Sequence, residues 1–476
     1  MKNFLLSILV VITISNVAAQ KQDKVYFTTG FKIGEVSTTS AVVFARLCAA
    51  EKPNPIVHER KKAPYRAPMK FDRNMPVSEF DGEVGGSFGE VKVVLKSESH
   101  SLELDWEFVS TFNDYTFKKT INGLNPNTKY DIEIFGRKYK GRIKKNKPIP
   151  NERPITSIKG SFTTAPDDST IVPVTFTTST CQYFWDYDDI ERGFKAYDAM
   201  KREKPLFHCQ TGDYVYYDKG PNIYNLEQAR YKWHAINTWP SIKEFHAEVP
   251  LYIQKDDHDL LSNDSHPEME PFGELTFEDG LKIWYEQVPL EGKPYRTFRW
   301  GKDLQIWLLE GREYRSNNSN PDSPDKTILG KKQIQWFKET VESSDATFKI
   351  VLSATPVVGP DRGKDKNDNH ANQAFKIEGD WLRGFMVSNQ IYSVTGDRHW
   401  QYLSKHKETG LIELCPGATS DEHAQGWSQD DKREEHKFLR VAGGFATIKV
   451  YRKKNKPVIE FIHHDVDGNV VNRETN

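Results

Sequence analysis

Six short apolar runs between residues 172 and 394 constrain the fold most, because each breaks off into polar side chains that can do chemistry. The run at 172–176 leads into Thr177-Thr178-Ser179-Thr180-Cys181, and that at 206–209 into Thr211-Gly212-Asp213-Tyr214-Val215-Tyr216. The run at 249–253 leads into Asp256-Asp257-His258-Asp259, and 304–309 into Glu310-Gly311-Arg312. The last two, 348–352 and 391–394, lead into Ser353-Ala354-Thr355 and Thr395-Gly396-Asp397-Arg398-His399. Short apolar runs bounded by turn formers read as buried strands. Helical spacing fills the gaps. Ile190, Phe194, Tyr197 and Met200 follow Asp189, Phe277, Leu281 and Trp284 follow a capping Thr276, and Ile334, Phe337 and Val341 share one face. Further β-like runs lie at 412–414, 445–451 and 458–462. This alternation predicts a layered α/β domain. Ligands bind beyond the carboxyl ends of strands in such sheets. Six parallel, neighbouring strands would therefore bring all six polar clusters to one crevice.

Three Asp-bearing motifs, two histidines and a cysteine would meet there. Carboxylates in a dry site repel one another, and a multivalent cation offsets that charge. Oxygen ligands suit Ca²⁺, Mg²⁺ or ferric iron, whereas Cys and His suit transition metals. A mixed site with two or more different ions uses every residue. Paired metals about 3.5–4 Å apart are the usual apparatus for in-line attack on phosphorus.

The chain before residue 167 differs in character. Short strands are expected at 25–27, 41–45, 91–95 and 130–134, with no helical periodicity of useful length. Leu124-Asn125-Pro126-Asn127-Thr128-Lys129-Tyr130 resembles the L-x-P-x-T-x-Y corner of fibronectin type III domains, where the Tyr hydroxyl bonds back to the backbone. Residues 53–76, rich in Pro, Lys and Arg, read as a surface excursion. At the start, Lys2, an apolar run at 4–14 and Val17-Ala18-Ala19 form a secretory signal peptide cut after Ala19. That run is too short to span a bilayer, which needs about 20 residues, so a soluble, secreted or periplasmic protein without a stable membrane anchor is expected. Lys plus Arg (66) nearly balances Asp plus Glu (67), which argues against a nucleic-acid-coating protein. Four cysteines are too few for a disulfide scaffold.

Cys181-Gln182, Gly212-Asp213-x-x-Tyr216, Asp256-Asp257-His258-Asp259 with Asn263, Leu329-Gly330 with Gln333 and Trp336, and Gly396-Asp397-Arg398-His399 occur in the order seen in the alkaline phosphatase D (PhoD-like) family. The chain resembles that family over nearly its whole length. Behind the signal peptide at 1–19, the resemblance implies an all-β fibronectin III-like sandwich at 20–167 and an α/β metallophosphatase domain at 168–476 built as a four-layer α/β/β/α sandwich. It implies an exported phosphoesterase acting on phosphomonoesters, phosphodiesters or phospholipids, with Fe³⁺ and Ca²⁺ as cofactors. Cys181, Asp213, Tyr216 and His399 would hold the ferric ion. Asp213 would bridge to calcium, with Asp257, Asn263 and Asp397 on that side. His258 would stand beside the leaving group, and Arg312 would face phosphate oxygens.

The pattern departs from the family in places. Lys255 stands where an aromatic residue commonly precedes Asp-Asp-His, and Glu310-Gly311-Arg312 replaces the usual Asp-Thr-Arg. Other readings of the same residues exist. Cys181 could pair with Cys209 in an exported protein, and Arg312 could be a structural ion-pair partner. The loops 316–327, 361–373 and 420–436 could be lids or plain surface. A phospholipase D-like diesterase and a non-catalytic, polymer-binding protein are the competing functions. His463 and His464 point to opposite faces of a strand and carry no assigned role.

Overall fold

The computed structural model describes residues 24–62, 66–139, 154–361 and 367–476; the expected leader lies outside them. The first part of the chain forms β1 (Phe31–Gly34), β2 (Ser40–Arg46), β3 (Gly89–Lys96), β4 (Ser101–Glu103), β5 (Glu107–Val109), β6 (Thr116–Asn122), β7 (Lys129–Lys138) and β8 (Ile155–Thr163). Then come β9 (Val174–Ser179), α1 (Lys195–Arg202), β10 (Phe207–Thr211), α2 (Leu226–Asn237), α3 (Pro240–His246), β11 (Leu251–Gln254), α4 (Phe277–Gln287), β12 (Arg296–Trp300), β13 (Leu304–Leu308) and α5 (Lys331–Glu342). The chain ends with β14 (Phe348–Ser353), α6 (Lys376–Ser388), β15 (Ile391–Thr395), β16 (Gln401–Lys405), β17 (Ile412–Cys415), β18 (His436–Arg440), β19 (Phe445–Lys453), β20 (Lys456–His464) and β21 (Val470–Thr475).

The six site-bearing strands do not lie side by side in one sheet. β9, β10 and β11 are parallel neighbours in a nine-stranded sheet ordered β21-β20-β19-β9-β10-β11-β1-β2-β6. β13, β14 and β15 are parallel neighbours in a seven-stranded sheet ordered β12-β13-β14-β15-β17-β16-β18. Successive strand residues point to opposite faces, and the packing follows that rule. Tyr252 of β11 joins Ile306, Leu308, Ile350, Leu352 and Val394 in a core between the two sheets. Leu251 and Ile253 face the other way, onto the first set of helices with Phe245 and Trp284. Trp307 and Val351 likewise turn outward to Phe337 and Leu382 of α5 and α6. Helices thus cover both outer faces of two stacked sheets.

The N-terminal strands are shared between two sheets. β3, β4, β5, β7 and β8 make a five-stranded sheet. β1, β2 and β6 instead extend the nine-stranded sheet, with β1 parallel to β11 at Gly34–Leu251. Hydrogen bonding therefore runs unbroken across the boundary read near Asp167. The buried Tyr130 hydroxyl accepts the Asn125 N–H at 2.9 Å, the geometry its motif anticipates. The 53–76 excursion crosses to the second part of the chain, where Arg60 donates to the carbonyls of Trp185 and Tyr187 at 2.9 and 2.7 Å.

The helix expected from Asp189 starts later, at Lys195. Asp189 Oδ1 accepts the N–H groups of Glu191 and Arg192 at 2.7 and 2.9 Å, which closes a turn and leaves Ile190 exposed. The helix after Thr276 forms with a full capping box to Asp279.

Candidate metal centre

Cys181 follows β9, Asp213 follows β10, 256–259 follow β11, Arg312 follows β13, and Asp397 and His399 follow β15. The turns that present them are tight. Cys181, Asp213 and Asp397 all have left-handed backbones, with φ of +51°, +56° and +61°, a conformation that a Cβ disfavours and that clusters at functional sites. Two glycines let the turns touch. A Cβ on Gly212 (φ +100°) would lie 2.6 Å from the Asp256 Cβ, and one on Gly396 would lie 2.2 Å from the Thr211 carbonyl oxygen. The second contact brings the carboxyl end of β15, in one sheet, against that of β10 in the other.

The result is a buried cluster centred on Asp213. Cys181, Asp213 and His399 each place one ligand atom within 4.8 Å of the others; so do Asp213, Asp257 and His258, and again Asp213, Asp256 and Asp397. The Tyr216 hydroxyl donates to Asp213 Oδ2 at 2.9 Å and lies 3.3 Å from His399 Nε2. Cys181 Sγ lies 3.4 Å from the same carboxylate oxygen. A cysteine, a phenol and an imidazole thus gather on one side of Asp213, and carboxylates on the other.

The electrostatics call for positive charge. Burial pushes Asp213 and Asp256 well above the carboxylate range. His258 pulls Asp213 back and Arg312 pulls Asp256 back, while the neighbouring aspartates add to the rise. Burial, then the Asp213 charge, likewise raises the Cys181 thiol. Asp213 Oδ1 and Asp256 Oδ2 are buried without a hydrogen-bond donor. Two cations sharing Asp213 would satisfy these atoms, a transition ion on the sulfur and nitrogen side and a harder ion on the carboxylate side. The donor set fits such a pair.

A surrounding layer holds the cluster in place. Asp259 accepts the backbone N–H groups of Asp213, Val215 and Asp256 at 2.8–2.9 Å, tying the turns after β10 and β11 together. Asp218 Oδ1 holds His258 Nδ1 at 2.7 Å. Burial works against protonation of His258, but Asp257, Asp218 and Asp213 outweigh it and raise its pKa to about 10. Behind Tyr216, His423 Nε2 meets the phenol oxygen at 3.0 Å, while its Nδ1 lies 2.7 Å from Asp186 Oδ2. The Arg66 N–H donates to the other Asp186 oxygen at 3.0 Å, so the N-terminal excursion braces this side.

Cys181, Asp213, Tyr216, Asp257, His258, Asp397 and His399 therefore meet. Asn263 does not join them: it is exposed, and its backbone N–H donates to Asp218 Oδ2 at 3.1 Å. Arg312 is wholly buried, with Nε 2.5 Å from Asp256 Oδ1 and Nη2 3.6 Å from Asp257 Oδ1. Ser353, at the end of β14, turns its hydroxyl to the Thr355 carbonyl at 2.7 Å instead. All four cysteines are free thiols, so Cys181 and Cys209 are not bridged. Asp256, Asp218, Asp186 and His423 are parts of the site beyond the ligand candidates named from the sequence. Of these only Asp256 carried a local signal, in its Asp-Asp-His-Asp run.

The family model for PhoD-like phosphatases matches residues 176–441, which contain the entire cluster. The chain belongs to the PhoD-like phosphatase family. Alkaline phosphatase D of Bacillus subtilis (strain 168) is 27% identical over 300 residues, 52% of this chain and 49% of that protein. The aligned region thus spans about half the length of that relative. The solved structure of PhoD superposes with a TM-score of 0.69 at 18% identity, covering 94% of this chain and 89% of that one. Purple acid phosphatase PPD1 from yellow lupin (Lupinus luteus) seeds superposes with a TM-score of 0.59 at 11% identity, covering 94% and 73%. These two likenesses establish a shared fold. Among the described residues no helix is long and apolar enough to cross a membrane.

Proposed function

We propose that the chain is an exported, metal-dependent phosphoesterase whose catalytic centre is the cluster around Asp213. The observation that carries this reading is the sharing of one buried aspartate by three potential ligand groups, inside a region that matches a phosphatase family. Cys181, Asp213, Tyr216 and His399 would hold a ferric ion, and Asp213, Asp257 and Asp397 a calcium ion. Asn263 would reach the calcium side only by turning inward from its exposed position. When bound, the ions would acidify water to give a nucleophile near neutral pH and offset charge on the phosphoryl group.

The chain's own residues would do the rest. His258, oriented through Nδ1 by Asp218, would carry a proton on Nε2 for the leaving alkoxide. Arg312, fixed on Asp256, would offer Nη2 to a phosphoryl oxygen. The depth of the cluster would keep bulk water out and strengthen both interactions. Tyr216, His423 and Asp186 would hold the thiol and imidazole side in register. Residues 20–167 would form the fibronectin III-like part, a reading supported by the Tyr130 corner, and 1–19 the cleaved leader that directs export.

The test is to assay the mature chain on p-nitrophenyl phosphate and bis(p-nitrophenyl) phosphate with added Ca²⁺, and to measure its metal content. Chelator-sensitive turnover of at least one ester, with iron or calcium bound, is expected. Hydrolysis of neither, with neither metal present, refutes the reading and favours a binding role. The ratio of the two rates assigns monoesterase or diesterase character.

A further inference from the structure

We propose that Glu310 is a positioning residue for Arg312, and through it for the phosphoryl group of the substrate, with Lys255 as the counter-ion that allows its carboxylate to be buried; this rests on the phosphoesterase reading above. The Lys255 side chain is wholly buried. A buried ammonium needs opposite charge beside it to offset its lost hydration. Its Nζ lies 2.8 Å from Glu310 Oε2 and 2.5 Å from Glu313 Oε1. It also sits over the Trp284 ring at 4.2 Å, a cation–π contact.

The pair is placed where it acts on the site. Lys255 immediately precedes Asp256 after β11, and Glu310 follows β13 in the opposite sheet. The ion pair therefore crosses between the sheets beside the Asp256–Arg312 crossing, one residue from Asp256 and two from Arg312. Glu310 divides its two oxygens between two tasks. Oε2 meets Lys255, while Oε1 accepts the backbone N–H of Arg312 at 2.6 Å and that of Glu313 at 2.9 Å. Gln333 clamps the Glu310 backbone on both sides, accepting its N–H at 2.7 Å and donating to its carbonyl at 2.8 Å. The carboxylate that Lys255 holds is thus the same one that sets where the Arg312 main chain starts, and so where its guanidinium meets the carboxylates. Lys255 and Glu310, both noted in the sequence as departures, face each other as one ion pair.

The test compares two double variants of equal charge. Lys255→Met with Glu310→Gln removes both charges of the pair but keeps an amide oxygen for the Arg312 N–H. Lys255→Met with Glu310→Ala removes that acceptor as well. Each is checked for folding by thermal unfolding, then measured for kcat and KM on p-nitrophenyl phosphate and for inhibition by inorganic phosphate. The Gln variant is expected to bind phosphate within about threefold of wild type, and the Ala variant about tenfold or more weakly, since small displacements of a positioning group cost one to two orders of magnitude. In an Arg312→Lys background that difference is expected to vanish, because coupled residues are not additive. Equal phosphate affinity in the two doubles, or a difference undiminished in Arg312→Lys, overturns the proposal. A wild-type chain that neither hydrolyses the ester nor binds phosphate overturns the functional reading, and this role with it.

Discussion

His234 joins the N-terminal strands to the helices that back the site, and its protonation makes that junction depend on pH. It lies on α2, nearly fully buried. Nδ1 is 3.0 Å from both oxygens of Glu83, and Nε2 is 2.5 Å from Asp114 Oδ2. Arg46 and Gln287 share the Asp114 carboxylate at 3.1 and 2.8 Å. Burial and the Arg46 charge both oppose the imidazolium, but Asp114 and Glu83 outweigh them and raise the pKa from 6.5 to about 9. The same contacts hold Asp114 below the usual carboxylate range, so the pair is counted once. At about 1.4 kcal/mol per pH unit, the His234 shift amounts to about 3 kcal/mol of stability. A raised folded-state pKa contributes fully below the unfolded value and is lost as pH rises through the folded one. The contribution is therefore complete below about pH 6.5 and gone beyond about pH 9. Urea unfolding of wild type and His234→Gln at intervals from pH 6 to 10 isolates it. The stability difference should shrink by about 3 kcal/mol across that range. A difference that stays flat would refute the doubly paired imidazolium.

Other perturbations have distinct outcomes. His258→Gln should lower kcat by about 10²–10⁴-fold on an alkyl phosphate and much less on p-nitrophenyl phosphate, whose leaving group departs without a proton; equal losses on both would remove His258 as the proton donor. Tyr130→Phe deletes the hydroxyl that accepts the Asn125 N–H and should cost about 1 kcal/mol in thermal unfolding without changing kcat. Gly212→Ala places a Cβ 2.6 Å from that of Asp256 at a φ of +100°, so the folded variant should bind less metal by elemental analysis than wild type.

Much of the site was legible because strand ends are local features. An apolar run followed by Gly-Asp or Asp-Asp-His announces both a strand and what lies beyond it. Partnership between strands is not local. Periodicity tells which face of β9 or β13 is apolar, not that the two belong to different sheets, and nothing near residue 31 marks β1 as a neighbour of β11. His423 shows the same limit. It lies in the polar stretch 420–436, which reads as either a lid or plain surface, and its partner Asp186 is 237 residues away. Asp259 sat inside a motif that suggested ligands, yet it spends its oxygens on three backbone amides. The Asp189 helix start failed for a short-range reason: a side-chain turn competed with the helix and won. Lys255 and Glu310 looked like unrelated departures until the two sheets faced each other.

Asp213 is common to all three ligand groups, and Asp213→Asn tests the proposed metal centre most directly. The substitution keeps the side chain's shape while removing the charge that all three ligand groups share and turning one acceptor oxygen into an NH₂ donor. The decisive measurement is its rate of p-nitrophenyl phosphate hydrolysis relative to wild type at equal folded fraction. A fall of about a thousandfold or more is expected, equivalent to about 4 kcal/mol of lost transition-state stabilisation. An Asp213→Asn protein that turns over the ester at the wild-type rate would contradict it.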